Sequence, residues 1–247
     1  MYKKLRFISL FKSKAFKATL MVGLFLTSLL IALAMLLGNE SGNFVIQVED
    51  GSHEKAIAIT DDLSTDVYVS KIVTEGADGM TCTNPASFLE SKNIEKQRAK
   101  VAEFAQTAGR VYTEETVYIF TFYIVNTGNQ ACNIEIGLNI SNIVGNIDQA
   151  IRIMTYNPNS IAEQGTIRIY QAQDSVAQEY IYPTIPELFE SSSVIFTQQE
   201  FLSAGKVSDP TIIPYTIFMW LDGDDPDATD QLFNSSIKFT LDIKVVD

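Results

Sequence analysis

The chain has one histidine and two cysteines among its 247 residues, and these shortages narrow its chemistry. One imidazole cannot build a multi-histidine zinc centre. His53, after Asp50-Gly51-Ser52, reads as a surface turn residue, because no G-x-S-x-G elbow exists for it to serve. Cys82 and Cys132 do not form C-x-x-C, so thioredoxin-like redox work has no foothold. A P-loop is missing, as is a G-x-G-x-x-G opening a helix after a strand. No catalytic residue and no organic cofactor is expected, and the chain reads as a non-enzyme. A paired-carboxylate hydrolase ranks third among the functional readings, since 30 Asp+Glu always offer pairs and only pocket geometry selects among them.

Positive charge is also scarce beyond the start. Lys3, Lys4, Arg6, Lys12, Lys14 and Lys17 sit in residues 1–17 without an acid; the rest holds 12 Lys+Arg against 30 Asp+Glu. Such a surface repels nucleic acid and anionic headgroups. Between the two electrical regimes, residues 18–37 carry no charge at all. Twenty residues of helix rise ~30 Å, the thickness of a bilayer core. The basic flank before the run, with Glu40, Glu49 and Asp50 after it, orients it N-terminus inward. The expected organisation is a cytoplasmic basic tail at 1–17, a transmembrane helix at 18–37, a linker at 38–43 and an extracytoplasmic domain at 44–247. The alternative is a secretory signal cleaved at Ala32-Leu33-Ala34, but the apolar run is longer than a signal core and continues past that site. No Cys follows the run, which argues against a lipid anchor. Both readings put the main domain outside the membrane.

That domain reads as mainly β. Phe and Tyr, 15 and 10 copies, cluster with β-branched residues, which suit pleated surfaces. Strands are expected at Phe44 to Glu49, Ala56 to Thr60, Asp66 to Thr74, Ala150 to Tyr156, Gly165 to Tyr170, Ser193 to Gln198 and Thr211 to Leu221. Pro214 marks a start, edge or bulge in the last of these. Val117 to Val125 is apolar on both faces and should be central. Ile134 to Ile140 and Ile237 to Val245 alternate with period two. The turn Asn126-Thr127-Gly128-Asn129-Gln130 suggests that the two strands flanking it form a hairpin. Residues 86–107 alone read as an exterior helix, with Ile94, Val101, Phe104 and Ala105 at helical spacing and Gly109 as its stop. The expected fold is a β-sandwich or jelly roll with one helical insertion.

Two constellations are candidate sites. Cys82 and Cys132, outside the membrane, are expected to bridge and close a loop of ~50 residues, worth ~3–4 kcal/mol in the chain-entropy model. Asp222, Asp224, Asp225, Asp227 and Asp230 fall within nine residues, and packed carboxylates repel unless solvated or neutralised. Calcium is the natural extracytoplasmic cation for them. The stretch is no EF-hand, having Pro226 and Asp227 where that loop needs an acid and Gly, and Phe233 at position twelve. A solvated acidic turn held by Asx-type bonds is the plainer alternative. Asn39, Asn139 and Asn234 sit in N-x-S sequons, whose use depends on the organism.

The run Tyr215-Thr216-Ile217-Phe218-Met219-Trp220-Leu221-Asp222-Gly223-Asp224-Asp225-Pro226, followed by Ser236-Ile237-Lys238-Phe239, resembles the ending of membrane-anchored surface proteins of low-GC Gram-positive bacteria. The lysine-rich start and single apolar span are similar to theirs. More distantly, the layout resembles the camelysin/TasA-like group of secreted jelly-roll proteins, some of which assemble into fibres; a retained anchor departs from that group. The resemblance implies a surface location and no site residues. The functional expectation is an anchored structural or protein-interaction module, with other surface or membrane proteins as partners. The runner-up is a calcium- or ligand-binding sensor or receptor domain.

Overall fold

Residues 117–126, apolar on both faces, form a strand in which all ten positions are buried, and the rest of the architecture is arranged around it. The computed structural model describes residues 44–77, 79–106, 112–114, 116–158, 166–172, 182–232 and 234–246. The expected tail, membrane helix and linker, Asn39 and Gly109 lie outside them. Among the described residues no helix is long and apolar enough to cross a membrane. The chain divides after Ser41, and every described residue lies in the second unit.

The strands are β1 (Phe44–Val48), β2 (Ile57–Thr60), β3 (Lys71–Thr74), β4 (Tyr112–Glu114), β5 (Val117–Asn126), β6 (Cys132–Val144), β7 (Ile151–Asn157), β8 (Thr166–Gln171), β9 (Glu187–Leu188), β10 (Val194–Leu202), β11 (Thr211–Leu221) and β12 (Ser236–Val246). Helices are α1 (Asp50–Glu54), α2 (Pro85–Phe88), α3 (Ile94–Gln106) and α4 (Ile147–Ala150). One sheet has the order β10-β6-β12-β1-β3; the other runs β2-β5-β11-β7-β8-β9, with β4 also pairing β5. Pairing is antiparallel except for β1 with β12 and β8 with β9.

The two sheets pack face to face. Phe44, Ile46, Phe239, Leu241 and Ile243 from the first share a core with Tyr118, Phe120, Phe122, Ile217 and Met219 from the second. Phe44 meets Tyr118 and Phe120 edge-on at 6.5 and 6.2 Å, a favoured aromatic geometry. The second sheet is covered on its other face as well. There Val117, Ile119, Met154, Phe218 and Trp220 join Phe88, Leu89 and Val101 of the helical segment. This cover explains why β5 and β11 carry apolar residues on both faces while β12 alternates: one pair is sandwiched between layers, whereas β12 has a wet face. On α3, Val101 is fully buried and Phe104 meets Phe218 at 6.3 Å. Ile94, expected on the same stripe, is 44% exposed at the helix start.

The expected hairpin does not form. β5 pairs β11 over ten residues, and β6 pairs β12 and β10 in the other sheet. The turn between β5 and β6 is a corner that carries the chain across the core. Asn126, 1% exposed, builds it: its Nδ2 donates to Gln130 O and Ser203 O at 2.9 Å, and its Oδ1 accepts from Gly128 N at 2.8 Å. Gly205 packs on the same corner, where a Cβ would lie 2.0 Å from Asn126 O, so only glycine fits. Pro214 lies where β11 pairs β5 alone, before β7 joins at Thr216; the missing N–H falls on a locally open edge.

The expected disulfide is not present: Cys82 and Cys132 are free thiols. Cys82 lies beside Gly223, just past the Leu221 end of β11. Cys132 pairs with Leu202 at the opposite end, near the Asn126 corner. The ten steps of β11 between those ends span ~30 Å, whereas a bridge needs Cα atoms within ~7 Å. Burial is the main cause raising both thiols above their usual pKa. We expect both to alkylate slowly at neutral pH without reductant, with an intact mass unchanged by reduction. A two-proton mass deficit in the oxidised protein would sink this assignment.

Candidate functional site

At the Leu221 end of the sandwich the aspartate run folds back over β7. Asp222 N donates to Ala150 O, Gly223 N to Thr83 O and Asp225 N to Asp222 O, so the loop is pinned on several sides. Two carboxylates turn inward. Asp222 and Asp225 have fully buried side chains, facing Arg152, whose side chain is 1% exposed. Arg152 Nη2 donates to Asp225 Oδ2 at 2.5 Å, and Nη1 donates to the carbonyls of Gln149 and Ile151 at 3.2 Å. Arg152 Nε stands 3.3 Å from Asp222 Oδ2, the atom that also accepts from the Tyr182 hydroxyl at 2.5 Å. Burial draws the Arg152 pKa down, but the hydrogen bond to Asp225 and the neighbouring Tyr182 and Asp222 hold it above its usual value. Burial pushes Asp222 up, against the lowering effects of Tyr182 and Arg152. Tyr182 is raised by burial and by Asp222.

The five aspartates therefore do not form one ligand set. The repulsion is answered by an internal guanidinium, and the remaining oxygens cap backbone: Asp222 Oδ1 accepts from Asp224 N at 3.2 Å and Asp225 Oδ1 from Asp227 N at 2.9 Å. Asp224 accepts from Asn84 Nδ2 at 3.2 Å. Asp230 opens a short 3-10 turn. Among the described residues no three His, Cys, Asp or Glu side chains gather as a metal group. Sequence reasoning missed Arg152 and Tyr182. An arginine inside the otherwise apolar stretch Ala150 to Met154 was the available signal, since such a residue is rarely buried unpaired. His53 falls in α1.

Two openings flank the core. At the aspartate end a cavity of about 570 Å³ enters between the sheets. At the other end a cleft of about 550 Å³ is lined by Thr155, Asn157, Arg168, Gln198 and Phe201. Gln198 organises the cleft. Its Nε2 bonds the Tyr170 hydroxyl, and its Oε1 accepts from the Tyr215 hydroxyl at 2.9 Å. Burial raises both tyrosines, Tyr215 strongly, so both hydroxyls stay neutral, Tyr170 accepting from Gln198 Nε2 and Tyr215 donating to its Oε1.

β10 forms the rim of that cleft and the outer edge of its sheet. The first part of the edge is covered: Glu190 N donates to Ile195 O, and Thr197 N donates to Glu190 Oε1 at 2.6 Å. Alternation then turns the N–H and C=O of Gln199 and Phe201 outward as well. No strand lies beyond them among the described residues. The strand contains neither Lys nor Pro, and Phe201 is 62% exposed.

No protein-family model matches this chain, and no curated protein matches it. Among solved structures, the N-terminal domain of PorA aligns with 55% of this chain and 81% of its own at 7% identity and a TM-score of 0.19. A likeness at that level carries no argument about fold or function.

Proposed function

We propose that this protein is a membrane-anchored, extracytoplasmic, non-catalytic module that binds an extended segment of a partner surface or membrane protein. The observation that carries the reading is the open end of β10. Exposed edges in soluble proteins are ordinarily blunted by lysine, proline, bulges or a covering element. Here the distal half has no lysine, proline, bulge or cover past Thr197; its one charge is Glu200, opposite Ile134, and it presents a large apolar side chain at Phe201. An added strand would satisfy the outward backbone groups, and alternate side chains of the partner would reach the polar cleft beside it. The basic, apolar and acidic order of residues 1–50 supports anchoring at 18–37 with the domain outside.

The test uses the full chain in intact cells with a photo-crosslinker at Phe201. The expected result is an adduct that maps to an extended partner segment, with slowed amide exchange at Gln199 and Phe201. It should be lost in Gln199→Pro, a change an open edge tolerates, with the melting temperature held. External protease should remove the domain and spare a tag placed before Lys3. Adducts of equal yield in Gln199→Pro, or a protected domain, would overturn the proposal.

A further inference from the structure

The cavity at the aspartate end is a second place where the core is open. Its floor comes from both sheets, with Ile151, Met219 and Leu221 on one side and Ile237 and Phe239 on the other, and Met80 closes it from the loop after β3. Its volume of about 570 Å³ falls within the ~300–1,000 Å³ of small-molecule sites. The floor asks for no polar atom. Its Tyr118 hydroxyl already donates to Thr74 Oγ1 at 2.7 Å, and burial pushes that phenol up to about 12. Polar lining residues such as Thr81, Thr229 and Asn234 are exposed, at the mouth.

The mouth has a sign. Among the described lining residues there is no Lys, Arg or His, and the one ionised side chain is Asp230, which is exposed. Cys82, also at the rim, has its thiol pushed up by burial and by Asp222, so it adds no charge at neutral pH. An anionic headgroup here would meet no counter-charge, on a surface already rich in acid.

We propose that this cavity binds a freely diffusing single-chain amphiphile, with its hydrocarbon tail between the sheets and a neutral or cationic head beside Asp230. The site lies at the opposite end of the sandwich from the open part of β10, so it is independent of the interaction reading.

The single tryptophan, Trp220, packs on the helical side of its sheet, with the floor residues Met219 and Leu221 on either side of it turned the other way, so binding is read by isothermal titration calorimetry. Full-length protein in phosphatidylcholine vesicles would be titrated with decyltrimethylammonium, decanol and decanoate, each below its micelle concentration. The first two should give saturable changes, with decanoate weaker by about two- to fivefold, the worth of one exposed charge contact. Asp230→Lys, an exposed change that leaves the floor intact, should reverse the order of the cation and the anion. Ala228→Phe, which fills the mouth, should weaken all three by about tenfold or more. Equal affinity for both charges, no reversal in Asp230→Lys, or signals that follow vesicle partitioning without saturation would overturn the proposal.

Discussion

Arg152→Met is expected to destabilise the domain by about 3–5 kcal/mol, because it leaves two buried carboxylates without their cation. For a domain of this size that is a fall of roughly 6–20 °C in melting temperature. The loss should be largely recovered by adding Asp222→Asn and Asp225→Asn, which remove the stranded charge while keeping shape. The deficit should also depend on pH, and the sign follows from Asp222. Its pKa is raised in the native state, burial being the largest cause, so the folded form binds a proton more readily than the unfolded one. Stability from this group therefore declines as pH rises from ~4, the ordinary Asp value, through the raised native value. Arg152 lowers that native value in the wild type, so its removal widens the window. Urea unfolding at pH 7 and pH 4.5 should show a smaller deficit at the lower pH. A deficit that grows on acidification would contradict the assignment of Arg152 as the counter-ion.

Phe122→Ala should cost about 3–5 kcal/mol, the range for removing a buried phenyl from a packed core. Phe122 is fully buried, stacks near Phe120 at 6.2 Å and meets Tyr215 at 5.6 Å. The control is Phe201→Ala on the exposed edge, which should stay within about 0.5 kcal/mol. Chemical denaturation of both variants reads the contrast. A loss below ~1 kcal/mol for Phe122→Ala would mean that β5 is not the centre of the molecule.

Period and composition made the layers legible before their pairing. The double-sided apolarity of Val117 to Val125 announced a covered strand, and the structure covers it with the opposite sheet on one face and the helical segment on the other. The alternation of Ile237 to Val245 announced a half-buried one, and Phe239, Leu241 and Ile243 are the buried set. Pairing was not legible, because a polar turn between two strands reads alike whether they share a sheet or cross between sheets. The side-chain bonds of Asn126 decide between these, and they reach Ser203, 77 positions away. The aspartate run was legible as an electrostatic problem. Its solution was not, because Arg152 and Tyr182 lie far off in sequence and arrive through the pairing of β7 with β11 and the packing above it. The open part of β10 left even less trace, since an edge is defined by what fails to lie beside it.

The parallel pairing of β1 with β12 has a mechanical consequence. Phe44 through Val48 run alongside Phe239 through Ile243 in the same direction, so tension between Phe44 and Val246 pulls the two strands lengthwise past each other. The five matched pairs then bear load together, as a lap joint does, and cannot peel one at a time. A domain tethered through residues just before Phe44 and tugged from the far end would meet that load with its stiffest geometry.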